Sequence, residues 1–261
     1  MPLFDFDRAI VREPAQSVID GLRSDRDALP DYDGILREHA AYMAALRGAG
    51  LAVDVLSPLD AYPDSMFVED PALVFPEAAI LLRPGAPSRL GEADELRAPL
   101  ARHFRTVLAL EYNQFVDGGD VLITPDSIVI GLSARTCAAG AEALSRILAS
   151  LGRATRIVRV PDGMLHLKSG AALLDEETLL ATAHMESSGL FAGFRTILVP
   201  ETENAAANAI RVNDTVFLGD CYERSRDLLA EKNFRVVSLP VTEIAKLDAG
   251  LSCMSLRWRA G

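Results

Sequence analysis

The stretch from Asp70 to Pro84, DPALVFPEAAILLRP, reads as a short apolar run, a Pro-Glu turn and a second apolar run. The phrase recurs as GDVLITPDSIVIGL at 119–132, SGAALLDEETLLATA at 169–183 and NAIRVNDTVFLGD at 208–220. Pro-Glu, Pro-Asp, Asp-Glu and Asn-Asp are tight-turn dipeptides, and the runs around them have strand length and composition, so each phrase predicts a hairpin. Asp70, Asp120, Ser169 and Asn208 stand at the head of these hairpins, and Cys253 holds the same place in SCMSLRW. They follow one another at roughly 40–50 residues, the period of a repeat architecture.

Between the hairpins lie four helical patterns, each followed by one more apolar strand: AVDVLSP, TVLALE, TRIVRV and RVVSLP. In the segment 133–152, Ser133 is the expected N-cap, Leu144, Ile147, Leu148 and Leu151 form the stripe, and Gly152 is the stop. The segment 31–50 places Leu36, Ala40, Met43 and Leu46 on one face and stops at Gly48. Segments 91–104 and 223–234 are shorter versions. The repeating unit is therefore β-β-α-β, present about five times, in the α/β class. SCMSLRW is expected to join the N-terminal strand near Phe6–Val11 and close a ring, which would gather the heads of all the hairpins at one axis. No composition shift or linker divides residues 1–261, so a single domain is expected.

Hydrophobic residues make up 49% of the 261, enough for a sizeable core, and no apolar run nears the roughly 18 residues of a membrane span. The N-terminus lacks the basic and apolar regions of a signal peptide, so a cytoplasmic location and no membrane partner are expected. Three cysteines without a C-x-x-C spacing argue against a disulfide framework and a structural zinc site. With 26 basic against 37 acidic residues the net charge is −11, which disfavours nucleic acid and suits a cationic small molecule. Nothing in the pattern fixes the assembly; a homodimer is the working expectation.

A free cysteine is more often core than catalyst, and Cys137 and Cys221 are read as packing. Cys253 differs in standing at an axial position. His166, in PDGMLHLKSG, also precedes an axial strand, so the two form a plausible nucleophile and proton-transfer pair. His39, His103 and His184 are read as structural. In FVDGGDVL, Asp117 and Asp120 flank a glycine turn that one of the two could simply cap, and the functional reading makes Asp117 the orienter of His166. The cluster of Asp64, Phe67, Glu69 and Asp70 supplies carboxylates and a flat apolar wall, the chemistry that holds a guanidinium. If the substrate is an amino acid, arginines such as Arg83, Arg89 and Arg135 could clamp its carboxylate.

Taken together, PDSMFVEDP, RPGAPSRLGE, FVDGGDVL, GLSART, GMLHLKSG, AANAIRVN and GLSCMSLRW resemble the dimethylarginine dimethylaminohydrolases, a family of guanidine-modifying enzymes. The phrases come in the family's order and, with the N-terminal VIDGL, extend the likeness over essentially the whole chain. The resemblance implies a five-bladed α/β propeller built from ββαβ repeats. It implies hydrolysis of asymmetric dimethylarginine or monomethylarginine to citrulline and an amine through a covalent thiouronium, with no metal or organic cofactor. It makes Cys253 the nucleophile, His166 the acid/base and Asp117 its partner. Glu69 and Asp70 would face the guanidinium, Asp64 the α-amine, and Arg89 with Arg135 the carboxylate. Phe67, Leu22 and Leu247 would line the pocket. One departure is Asp248-Ala249-Gly250, where relatives often carry Asp-Gly-Gly; alanine is strained there if the position needs a positive φ.

Two rival readings differ in class. A related guanidine hydrolase would act on arginine or agmatine; arginine deiminases usually carry an extra helical domain for which this chain has no room, and an agmatine enzyme needs no carboxylate clamp. A non-enzymatic propeller binding a macromolecule would have no reason to keep a cysteine, a histidine and acids together at the axis.

Overall fold

The computed structural model describes residues 3–260. In chain order its regular elements are β1 (Arg8–Arg12), α1 (Tyr32–Gly48), β2 (Ala52–Leu56), β3 (Ala72–Phe75), β4 (Ala78–Leu81), α2 (Glu92–Ala101) and β5 (Val107–Ala109). These are followed by β6 (Val121–Ile123), β7 (Ile128–Leu132), α3 (Ala138–Ser150), β8 (Thr155–Arg159), β9 (Ala171–Leu173), β10 (Thr178–Ala181), α4 (Ala183–Ser187) and β11 (Arg195–Leu198). The chain ends with β12 (Ile210–Val212), β13 (Thr215–Gly219), α5 (Glu223–Glu231), β14 (Arg235–Leu239), α6 (Thr242–Ala245) and β15 (Leu256–Trp258).

The strands form five three-stranded sheets, and each repeats one plan. A first strand pairs antiparallel with a second through a tight turn, and the second pairs parallel with a third, as in β3–β4–β5 and β6–β7–β8. A parallel pair needs a crossover, and here a helix supplies it. The remaining sheet joins the two ends of the chain. β15 pairs antiparallel with β1, with Ile10 opposite Leu256, and β1 pairs parallel with β2 across α1. The expected closure by SCMSLRW is what the structure contains.

Packing explains the order. The middle strands β4, β10 and β13 are buried along their whole length, whereas the third strands β8 and β11 are largely exposed. Alternation along each middle strand sends neighbours to opposite faces. Ala79 and Leu81 pack with Ile10 of β1, while Ile80 packs with Val121 and Ile130 of the next sheet. β6 and β7 then pack on β9 and β10 through Leu122, Val129 and Leu179. Leu180 meets Val216 and Leu218, and Phe217 meets Ala9 and Val11. Each apolar cluster thus joins one sheet to the next, and the last returns to the first. At about 25 cal/mol per Å² of buried apolar surface, these shared interfaces dominate the stability.

Three local expectations are corrected. α1 buries Ile35, His39, Tyr42 and Leu46, whereas Leu36 and Ala40 face outward, so the first three positions of the stripe lie one residue before the expected ones and Leu46 is buried as expected. α3 is capped by Cys137, whose Sγ accepts the Gly140 N–H at 3.3 Å; Ser133 instead accepts the N–H groups of Arg135 and Thr136 in the turn before it. Cys221 is exposed and is not a core residue. Among the described residues no helix is long and apolar enough to cross a membrane.

Candidate active site

The turns that enter the first strands carry the polar side chains, because backbone there cannot pair with a neighbouring sheet and needs other partners. Asp70 Oδ1 accepts the Gly119 N–H at 3.1 Å, and Asp120 Oδ1 accepts the Leu167 N–H at 3.0 Å. Asp120 Oδ2 also accepts the hydroxyls of Ser133 and Thr136, each at 2.6 Å. Asp120 is therefore a structural tie.

A cavity of about 250 Å³ opens among these turns and is lined by Cys253, His166, Asp117, Asp64, Asp70, Phe67, Arg89, Arg135, Leu22 and Leu247. Ten of the expected positions thus come together from across the sequence, whereas Glu69 does not, and neither does Arg83, whose Nε donates to the Leu110 carbonyl at 3.2 Å. The Glu69 side chain turns away, where Oε1 meets Lys168 Nζ at 2.6 Å and Arg257 Nη2 at 3.8 Å. Glu69 lines a separate cavity of about 150 Å³ walled by residues of β3, β6, β9, β12 and β15. The two neighbours leave this turn in different directions, so that Asp70 faces this cavity and Glu69 the other.

His166 Nε2 lies 3.0 Å from Asp117 Oδ2, and Asp117 Oδ1 accepts the Gly85 N–H at 2.7 Å. Asp117 is fully buried, with its own N–H donated to Thr136 Oγ1 at 3.1 Å, so its direction is fixed before any ligand arrives. The other edge of the imidazole rests on Gly119, where a Cβ would stand 2.6 Å from Nδ1. The glycine is required by close approach. Burial alone would lower the His166 pKa, but the hydrogen bond it donates to Asp117 and the charges of Asp70, Asp120 and Asp117 outweigh it and raise the value above 6.5.

Cys253 lies within a short 3-10 turn, Leu251–Met254, and its carbonyl accepts the Glu69 N–H at 3.1 Å. Burial, then the charges of Asp70 and Glu69, push its thiol up to about 12, against the opposing effects of the Gly250 hydrogen bond and Lys168. These surroundings favour the protonated thiol at neutral pH.

The two arginines have unequal roles. Arg89 is buried, with Nε 3.0 Å from both Glu92 oxygens, Nη2 2.7 Å from Glu92 Oε2 and 3.0 Å from the Phe67 carbonyl, and Nη1 2.5 Å from Asp70 Oδ2. Most of its five donors are spent on the protein. For Arg135, by contrast, the hydrogen bond seen is that of its backbone N–H to Ser133, and the guanidinium has no ion pair among the described residues. Burial raises Asp64, partly offset by Arg89 and by the Leu22 N–H that Asp64 Oδ1 accepts at 3.0 Å. Burial would also raise Asp70, but Arg89 and His166 hold it below the ordinary carboxylate value.

Residues that sequence reasoning passed over are Glu92, Arg23, Ser24 and Leu165. Glu92 is buried against Arg89 and pushed up to about 7 by that burial. Its i,i+3 spacing from Arg89 was the available signal. Ser24 donates its N–H and hydroxyl to Asp248 at 2.6 and 2.8 Å, tying the segment after Leu22 to the segment before Cys253. The strained position there is Asp248, at φ 53°, while Ala249 has no positive φ, so the alanine is accommodated. Asp70, Asp117 and His166 offer three ligand atoms within 4.8 Å of one another, a spacing that could suit a metal. Their lone pairs are already engaged by Arg89, Gly119, Gly85 and one another, which accounts for the cluster without an ion.

The chain is similar to known proteins over nearly its full length. A family pattern described as arginine deiminase matches residues 99–201. The N(G),N(G)-dimethylarginine dimethylaminohydrolase of Pseudomonas aeruginosa is 40% identical over 97% of this chain and all of its own length. The protein of that name from Streptomyces coelicolor is 31% identical over 97% of each chain. A solved structure of the Pseudomonas aeruginosa protein, a mutant complexed with citrulline, superposes with a TM-score of 0.94 at 40% identity, covering 97% of this chain and all of that one.

Proposed function

The chain belongs to the dimethylarginine dimethylaminohydrolase family, and on that premise we propose that it hydrolyses free arginine methylated on a terminal nitrogen, giving citrulline and dimethylamine or methylamine. The carrying observation is one cavity that holds a cysteine, a carboxylate-bound histidine, two further carboxylates and an unpaired arginine. A methylarginine has a planar cation at one end and an amino-acid zwitterion at the other. Asp70 and Asp117 face the first, while Asp64 and Arg135 offer opposite charges to the second. Leu22, Leu247 and Phe67 wall the aliphatic chain between them, and Arg89 serves to hold Asp70 ionised. In this reading the five sheets are the blades of a five-bladed propeller forming a single catalytic unit, and its unpaired thiols suit the cytoplasm.

The carboxylates around Cys253 favour the protonated thiol, and a guanidinium placed beside it offsets them and favours the thiolate, whose proton is released to solvent. Sulfur then attacks the guanidinium carbon. The proton on His166 passes to the departing methylated nitrogen as the C–N bond breaks, leaving a thiouronium on Cys253. His166, now neutral, takes a proton from water as its oxygen attacks that carbon. Collapse breaks the C–S bond and releases citrulline, and the adduct's hydroxyl proton returns to sulfur to restore the thiol. Asp117 fixes the ring and stabilises its charged form throughout.

The test is release of citrulline and amine from asymmetric dimethylarginine and, in parallel, from arginine. Product from the methylated substrate, lost in Cys253→Ser with an unchanged melting temperature, is the expected result. Ammonia from arginine alone would make the enzyme a deiminase. Arg135→Ala should raise KM by about 10- to 100-fold, as loss of a charge-assisted contact to the carboxylate requires; an unchanged KM would remove the carboxylate clamp and point to an agmatine-like substrate.

A further inference from the structure

Asn208 lies outside the reaction pocket, at the end of the 3-10 segment Glu201–Asn208, and touches both reacting segments. Its Oδ1 accepts the N–H of Ser252, the residue before Cys253, at 3.1 Å. Its Nδ2 donates to the carbonyl of Lys168, two residues after His166, also at 3.1 Å. These partners are 44 and 40 residues away in sequence. The approach is close: a Cβ on Gly250 would stand 2.4 Å from Asn208 Oδ1 and 2.6 Å from its Cγ.

Asn208 completes a pattern. Asp70 takes the Gly119 N–H and Asp120 takes the Leu167 N–H, so each carboxylate holds the turn of the following unit. At the next turn the corresponding residue is Ser169, which carries no carboxylate to reach forward. There the tie runs backward, from Asn208 to Lys168, and the same side chain also runs forward to Ser252. An aspartate could accept from Ser252 but could not donate to Lys168. The amide is the side chain of this size that does both.

We propose that Asn208 is a positioning residue that sets the nucleophile segment and the acid/base segment in register, one through each end of its amide. The role rests on the proposed hydrolysis. Attack and proton transfer need sulfur and imidazole placed on one carbon and its leaving nitrogen, and misplacement of about 1 Å costs on the order of 100-fold in rate. Asp120 holds the histidine turn from its other side, through Leu167. Lost register should therefore slow turnover more than it weakens binding, since the carboxylates and Arg135 that face the substrate lie on other turns.

The test compares Asn208→Ala, Asn208→Asp and, as a control, Asn213→Gly. Asn213, at φ 55°, holds the backbone of Phe6 and Ala49 through three hydrogen bonds of 2.8, 3.1 and 2.8 Å and lies away from the pocket. Its replacement should lower the melting temperature and leave kcat unchanged. Asn208→Ala should lower kcat for asymmetric dimethylarginine by about 10- to 100-fold with KM within about threefold. It should also speed iodoacetamide labelling of Cys253, read by peptide mass spectrometry without substrate, by at least about threefold. Asn208→Asp should keep near-normal labelling, because Ser252 retains its acceptor, yet still lose kcat. Wild-type kcat per folded molecule in both Asn208 variants would overturn the proposal. If the wild-type protein releases no citrulline, the substrate reading has failed and labelling alone decides: an unchanged rate in Asn208→Ala overturns the register role.

Discussion

His39 and His166 are both buried, yet the two parts of the molecule that hold them drive the imidazole in opposite directions. His39 sits on the buried face of α1, with Nε2 unpartnered, and burial pushes it down to about 4. His166 sits where the turns meet, and there the hydrogen bond and charges of carboxylates overcome the same burial and raise it. Burial alone lowers the ring; what raises His166 is Asp117, aimed at Nε2 and held by Gly85 and Thr136. The difference also has opposite consequences for stability. His166, raised in the fold, contributes stability that is present below pH 6.5 and lost as pH rises through its folded value. His39, lowered in the fold, stabilises above 6.5 and loses that contribution as pH falls toward 4.

Replacing Asp117 by Asn would erase the contrast by taking from His166 its nearest charge. The expected loss in kcat is about 10³-fold, within the range assigned to general acid–base catalysis. The alkaline limb of the rate should move to lower pH, because imidazolium is lost sooner once the carboxylate is gone. A pH–rate profile with an unmoved limb would show that Asp117 does not set the protonation of His166.

His39→Leu attacks the other half of the comparison. Between an unfolded value of 6.5 and a folded value of about 4, linkage costs the wild-type fold about 3 kcal/mol by pH 4. The leucine variant has nothing to titrate there. Urea denaturation should give the two proteins similar stability at pH 7.5 and a widening advantage for the variant below pH 6. Parallel curves from pH 7.5 to 4 would mean that His39 is protonated as readily in the fold as out of it.

Much of this contrast was legible in the sequence, and the reasons differ by feature. The hairpin phrases fixed the β-β-α-β unit because turn dipeptides and strand length are local properties. Cys253, His166 and Asp117 could be brought together because repeats place equivalent residues near one axis. Direction was harder. The face of α1 was misjudged because Glu38, a buried residue whose carboxylate accepts the N–H groups of Glu243 and Ile244, does not look like a core position. Arg89 looked like a free clamp because the depth of its burial against Glu92 depends on how the turn after β4 folds. Glu69 and Asp70 were assigned one role because an acidic cluster shows composition and not orientation.

Glu69→Gln sharpens that last distinction with the smallest expected effect. Glu69 pairs with Lys168 and Arg257 away from the reaction pocket, so it has no contact through which to bind a guanidinium. KM for asymmetric dimethylarginine should stay within about twofold, since no ground-state contact is removed. The variant should still be felt at the sulfur. Glu69 is one of the charges that push Cys253 up to about 12, and Lys168 pulls the other way. Without the carboxylate, Lys168 is unopposed and the thiolate becomes easier to form, so the pH dependence of iodoacetamide labelling should shift to lower pH. A KM raised by about tenfold or more would instead place Glu69 in contact with the substrate, and would mean that the turn carrying Glu69 and Asp70 rearranges when the pocket is filled.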